Sequence, residues 1–237
     1  MANTTITFDL NAIQAHQILC GFLARQLYCA PVAEDLEKLI AQRELLLEEP
    51  FSTLNPQASQ TLFDALAKAA STQDESAELL VALQRDFSFL FKMVGVSLTS
   101  PYESFYRTDD RTVFGPTTLE VRAAYAAFGL ELAEQGREPE DHIGLEFLFL
   151  EQLFAQLAAH YEGNDTQAAA QTTDTIAAFL KDHLLVFAGV FFKNVQTQAL
   201  SDYFNAIACL GESVLNSLAN FLQVEAAATI DEAAYTL

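Results

Sequence analysis

Apolar residues recur at three- and four-residue spacing along most of the chain, and few stretches alternate with the two-residue period of a strand. Ala, Leu, Glu and Gln dominate and Gly and Pro are sparse, which favours helix. The pattern predicts about nine helices, over residues 9–28, 33–47, 56–70, 75–94, 117–134, 143–161, 165–180, 183–193 and 196–222. The first has Asp9 or Asn11 as its cap and Ile18, Leu19, Phe22, Leu23 and Leu27 on its apolar face; Pro31 stops it. The fourth carries Leu79, Leu80, Leu83, Phe87, Leu90, Phe91 and Val94 on one face. The helix over 143–161 is apolar on nearly every side, so it belongs in the middle of a bundle. The expected fold class is all-α: one compact multi-helix domain over 1–224, then an acidic, Ala-rich tail over 225–237 that is free to fray.

Two segments interrupt the helical pattern. Residues 95–116 interleave aromatics with charges (PYESFYRTDDRTVFGP), as loops do that pack back on the body or line a site. Residues 135–144 (QGREPEDHIG) hold two Gly, one Pro and several ionisable groups around a histidine.

Charge narrows the partners. Lys and Arg number 12 against 32 Asp and Glu, a net of −20, while 51% of the residues are apolar and 19 are Phe. Residues 1–122 carry 9 basic and 16 acidic groups (−7); residues 123–237 carry 3 and 16 (−13). Such a field repels phosphates, which excludes nucleic acid as a partner and disfavours docking on an anionic membrane. It favours a cation or a basic peptide. The apolar content excludes a disordered acidic tail. Three unpaired cysteines, no basic and apolar leader at the N-terminus, and a longest apolar run of nine residues at 184–192 point to a cytoplasmic chain without stable membrane insertion.

No phosphate loop, dinucleotide fingerprint or nucleophile elbow occurs. His142 and Glu146 have the i,i+4 spacing of a metal pair, which would suit a metal-dependent enzyme, but Pro139 and Gly144 break regular geometry there and no third ligand is in sight. Asp141 and His142 also suit a helix cap. The His142 pKa among these carboxylates is expected to be raised. A third reading is a peptide site. Glu138, Glu140 and Asp141 would pair with arginines, and phenylalanines would bury an apolar stretch.

Three segments resemble the TorD/DmsD family of redox-enzyme maturation chaperones. They are Asp86-Phe87-Ser88-Phe89-Leu90-Phe91, Pro101-Tyr102-Glu103-Ser104-Phe105-Tyr106, and Glu138-Pro139-Glu140-Asp141-His142-Ile143-Gly144-Leu145-Glu146, which is similar to the family's E-P-x-D-H hallmark. Lys181-Asp182-His183-Leu184 resembles a later His-Leu element. The family often has Trp where Phe87 stands, and this chain has none. The resemblance implies a TorD-like bundle of two lobes around a hinge near 135–144, with no catalysis and no cofactor. It implies a cytoplasmic chaperone that binds the twin-arginine signal peptide of a molybdopterin oxidoreductase of DMSO or TMAO reductase type. The apoenzyme would be held for cofactor insertion before export. A NarJ-like assembly chaperone for a non-exported subunit is the alternative. Phe87, Leu90, Phe91, Pro139, Asp141 and His142 are the implied contacts, with Tyr102, Ser104, Tyr106, Glu138, Glu140 and Glu146 beside them. The chain would act as a monomer or a helix-exchanged dimer.

Overall fold

The computed structural model describes residues 8–93, 98–130 and 138–235. Its helices are α1 (Leu10–Tyr28), α2 (Ala33–Ala41), α3 (Phe51–Leu54), α4 (Pro56–Ala69), α5 (Gln73–Phe87), α6 (Glu103–Arg107), α7 (Pro116–Ala127), α8 (Ile143–Glu162), α9 (Thr166–Phe179), α10 (Leu185–Gln198) and α11 (Asp202–Leu222). Among the described residues there is no strand, only an isolated antiparallel bridge between Tyr102 and His142.

Short polar side chains start the helices. Asp9 accepts from the Asn11 N–H, Asn55 from Ala58, Thr72 from Glu75, Asp165 from Ala168 and Ser201 from Phe204. The tail of the predicted second helix tightens into a 3-10 turn at Arg43–Leu47. Leu90 and Phe91 lie on a π-turn (Ser88–Lys92) that extends α5; Val94 lies outside the described residues. Helix α7 ends earlier than its apolar pattern, because Gly129 (φ 69°) takes a left-handed conformation one residue after Phe128. Residues 131–137, including part of the expected hinge, lie outside the described residues.

The expected break between 180 and 183 is absent. A π-turn (Leu180–Leu184) carries α9 directly into α10, since no Gly or Pro interrupts that stretch and Leu180 and Leu184 are fully buried. The next joint, expected at 194–195, falls at residues 199–201. There the buried Asp86 accepts the backbone N–H groups of Leu200 (3.1 Å) and Ser201 (2.9 Å) and the Ser201 hydroxyl (2.5 Å). A carboxylate 114 residues away in sequence thus fixes where α11 begins. The continuous run Thr166–Gln198 is long and apolar enough to cross a membrane by length and composition, yet most of that window is buried against other helices.

Helices α1 and α8 form the central antiparallel pair. Tyr28 meets Gly144 at one end, and Phe8 N–H donates to the Tyr161 hydroxyl (3.0 Å) at the other. At Gly144 a Cβ would sit 2.9 Å from the Tyr28 backbone, so glycine permits the approach. As expected, α8 is buried along most of its length: Leu145, Phe147, Phe149, Leu150, Leu153, Phe154 and Leu157 all lie in the core. Ile18, read as part of α1's apolar face, is instead 49% exposed. One continuous apolar core runs from Ile13 to Tyr235, joining what the resemblance divides into two lobes. Within the tail, Tyr235 docks on the body. Tyr235 is buried, its hydroxyl donates to the Tyr106 carbonyl (3.1 Å), and Asn194 donates to its carbonyl (2.7 Å).

Candidate functional site

The segment 138–142 leads into α8 and acts as a clasp between α6, α7 and α8. Asp141 is fully buried. One carboxylate oxygen accepts the Ser104 N–H (2.7 Å), the other accepts the Thr118 hydroxyl (2.7 Å), and its carbonyl accepts the Glu103 N–H (2.9 Å). With the Ile143 N–H donating to the Pro101 carbonyl (2.7 Å), the bridge between the two segments is closed on both sides. Glu140 takes a bidentate pair from Arg122 (Nε 2.7 Å, Nη2 2.9 Å), and the Tyr125 hydroxyl donates to its carbonyl (3.0 Å). The expected arginine contacts of Glu140 and Asp141 are therefore already taken by internal donors, and neither carboxylate has a free face in this state.

His142 caps α8. Its Nδ1 accepts the Gly144 N–H (3.0 Å), which places the ring proton on Nε2. Its ring stands edge-on between Tyr28 and Tyr102, 5.3 Å from each. Burial lowers its pKa to about 3, with the positive charge of Lys92 adding to the effect. The expected upward shift fails because the imidazolium would be desolvated here and faces the positive charge of Lys92. The geometry of the metal pair fails as well. His142 precedes the helix and spends Nδ1 on the cap, and among the described residues no three His, Cys, Asp or Glu side chains form a metal-binding group.

Glu146 is fully buried and neither of its oxygens finds a hydrogen-bond partner. Burial first, then the negative charges of Glu103 and Asp141, raise its pKa well above the carboxylate range, so it sits there as the neutral acid. A carboxylate in the first turn of a helix ordinarily complements its dipole, but burial keeps this one from that role. Glu103 beside it is fully buried with both oxygens met: Arg107 Nη1 donates to one at 2.6 Å and His183 Nδ1 lies 2.9 Å from the other. Arg107 also donates to the Asp182 carbonyl (2.8 Å). Sequence reading passed over this Glu103–Arg107–His183 network. The i,i+4 spacing of Glu103 and Arg107 was its one local signal; the tie to His183, 80 residues on, had none.

The remaining predicted residues divide. Ser104 and Tyr106 are buried beside the clasp, Tyr106 donating to the Ser100 carbonyl (2.9 Å). Pro139 is buried too. Phe87, Leu90 and Phe91 lie in the core apart from the clasp; Phe91 stacks on Phe191, Phe204 meets both Phe87 and Phe91 at an angle, and the Leu90 carbonyl accepts from Thr99. Only Tyr102 and Glu138 are half-buried, joined by a 2.6 Å hydrogen bond from the Tyr102 hydroxyl. They form the accessible edge of the site. Beside them opens a cleft of about 370 Å³ between the end of α1, α2 and the first turns of α8.

The family model described as nitrate reductase delta subunit matches residues 52–193. The chain is 29% identical over 154 residues to a Psychrobacter protein named chaperone protein TorD, covering 63% of this chain and 65% of that one. It is 30% identical over 133 residues to chaperone protein TorD of Vibrio cholerae serotype O1 (55% of this chain, 56% of the relative). It is 27% identical over 128 residues to the probable Tat proofreading chaperone DmsD of Haemophilus influenzae (54% and 56%). The chain thus spans between about half and two thirds of these relatives' own length, and they are named as chaperones rather than as enzymes. With more than half of its residues under that model, both the 101–106 and the 138–146 segments included, the chain belongs to the nitrate reductase delta subunit family, that of the TorD and DmsD chaperones.

Proposed function

We propose that this chain is a cytoplasmic, non-enzymatic chaperone. It binds the twin-arginine signal peptide of a molybdopterin oxidoreductase and holds the apoenzyme until its cofactor is inserted and export proceeds. The observation that carries the reading is the setting of residues 138–146 in a chain of this family. A buried clasp presents Glu138 and Tyr102 at its open edge, next to an apolar cleft, on a strongly acidic molecule. The buried members of the predicted set (Phe87, Leu90, Phe91, Ser104, Tyr106, Pro139, Glu140, Asp141, His142 and Glu146) act by building and positioning that edge. Tyr102 and Glu138 touch the peptide. A leader disordered in solution forfeits about 2–5 kcal/mol on ordering, which keeps affinity modest and release feasible.

Calorimetric titration of the full chain with a synthetic twin-arginine leader tests this. Binding is expected, with Glu138→Gln weakening it several-fold at unchanged helicity. A leader that does not bind sinks the reading. The description of the matching family model favours one alternative, a NarJ-like assembly role for a non-exported subunit. Under it, a leader whose two arginines are replaced by glutamine binds as well as the parent peptide.

A further inference from the structure

The cleft beside the clasp has its own chemistry. Its floor and walls are apolar, with Leu36 and Leu83 buried beneath and Tyr28, Leu39 and Leu148 partly open to solvent. Leu148, an apolar residue of the mostly buried α8, is 39% exposed. Helix α2, one wall, buries a single side chain, Leu36, and turns Glu34, Asp35 and Glu37 to solvent. The two cations lining the cleft are engaged: Arg25 lies 3.7 Å from Glu151, and Lys38 lies 2.8 Å from Glu34 and 3.6 Å from Asp35. Exposed Cys29 at the mouth senses carboxylates from two directions, since Asp35 and Glu138 both act to raise its pKa alongside partial burial, against Lys92. An apolar slot bracketed by carboxylates on α2 and on the clasp is complementary to a segment that is hydrophobic along its length and cationic at one end.

We propose that this cleft, between the end of α1, α2 and the first turns of α8, receives the apolar stretch of the bound peptide, with the peptide's arginines lying toward Asp35 and Glu138. The assignment rests on the leader-binding reading and adds to it the place and the chemistry of the second contact. Leu39 and Leu148 would cover the apolar side chains, and α2 can shift to admit them because so little of it is locked into the core.

Alkylation of the unmodified full chain reads the cleft directly. Cys29 lines it, while half-buried Cys209 lies elsewhere and serves as the internal reference. The twin-arginine leader should slow alkylation of Cys29 roughly tenfold and leave Cys209 unchanged. Leu148→Asp, at a site exposed enough to tolerate the charge, should weaken calorimetric binding about tenfold, the effect of losing one buried apolar contact. A leader that binds while Cys29 stays reactive and Leu148→Asp binds normally overturns the cleft and leaves the chaperone reading standing. If the leader fails to bind, an apolar peptide without arginines decides. Protection of Cys29 by it supports the cleft alone, and its absence overturns the cleft as well.

Discussion

Asp141 and Glu146 are buried five residues apart and differ in partnership. Asp141 has a backbone N–H and a hydroxyl aimed at its two oxygens; Glu146 has none and keeps its proton. Removing the first carboxylate leaves the Ser104 N–H and the Thr118 hydroxyl unmet in a dry site. Asp141→Ala should therefore cost about 3 kcal/mol by urea unfolding, and any loss of peptide affinity should follow that loss of structure. The second change should run the other way. The folded-state pKa of Glu146 lies above its unfolded value, so its contribution to stability is complete below about pH 4.5 and is lost as pH rises. Glu146→Gln keeps the size and shape of the side chain and removes that dependence. The variant's melting temperature should gain on the parent's progressively from pH 5 to pH 8; a constant offset would refute it. His142 acts at the acid end. Its pKa is lowered to about 3 from 6.5, so its contribution is present above pH 6.5 and is lost as pH falls toward 3. The 138–146 motif was legible in sequence as chemistry, but burial was not. Four carboxyls in nine residues read as a site for arginines, and only the fold shows Arg122, Thr118 and Ser104 meeting two of them.

At the level of elements, the sequence located helices well wherever local signals governed them. Asp9, Asn55, Thr72 and Asp165 all start helices within reach of their own side chains. It misplaced the joint between α10 and α11 because that joint is set by Asp86, a partner invisible to local periodicity. It missed the π-turns because an extra residue leaves the apolar spacing nearly intact. The central α1–α8 pair gives the sharpest test. A methyl group at Gly144 would meet Tyr28 backbone atoms, which cannot swing aside, whereas one at Gly21 would meet only the end of the Glu151 side chain. Gly144→Ala should cost about 2 kcal/mol by overpacking, while Gly21→Ala should be neutral or slightly stabilising through helix propensity. Equal effects in chemical denaturation would show that α1 and α8 do not approach this closely.

For the whole molecule, the net charge of −20 and the clasp act on different steps of binding. The clasp leaves little carboxylate open: Glu140 and Asp141 are met by internal donors and Glu146 is buried, so of the motif's four acids only Glu138 reaches solvent. The remaining acidic residues lie largely on the surface, with residues 123–237 more negative than residues 1–122. Such a field acts at long range on a basic peptide, raising the rate of encounter without adding contacts. Its reach is a Debye length, about 10 Å at 0.1 M salt and about 3 Å at 1 M. Stopped-flow mixing of the chain with a labelled twin-arginine leader should therefore show an association rate that falls roughly tenfold as salt is raised across that range. The dissociation rate should change far less, because the apolar contacts that govern it are indifferent to screening. An association rate indifferent to salt would confine the surface charge to keeping the chain soluble; a dissociation rate that rises in step with salt would move the arginine contacts from the encounter to the bound complex.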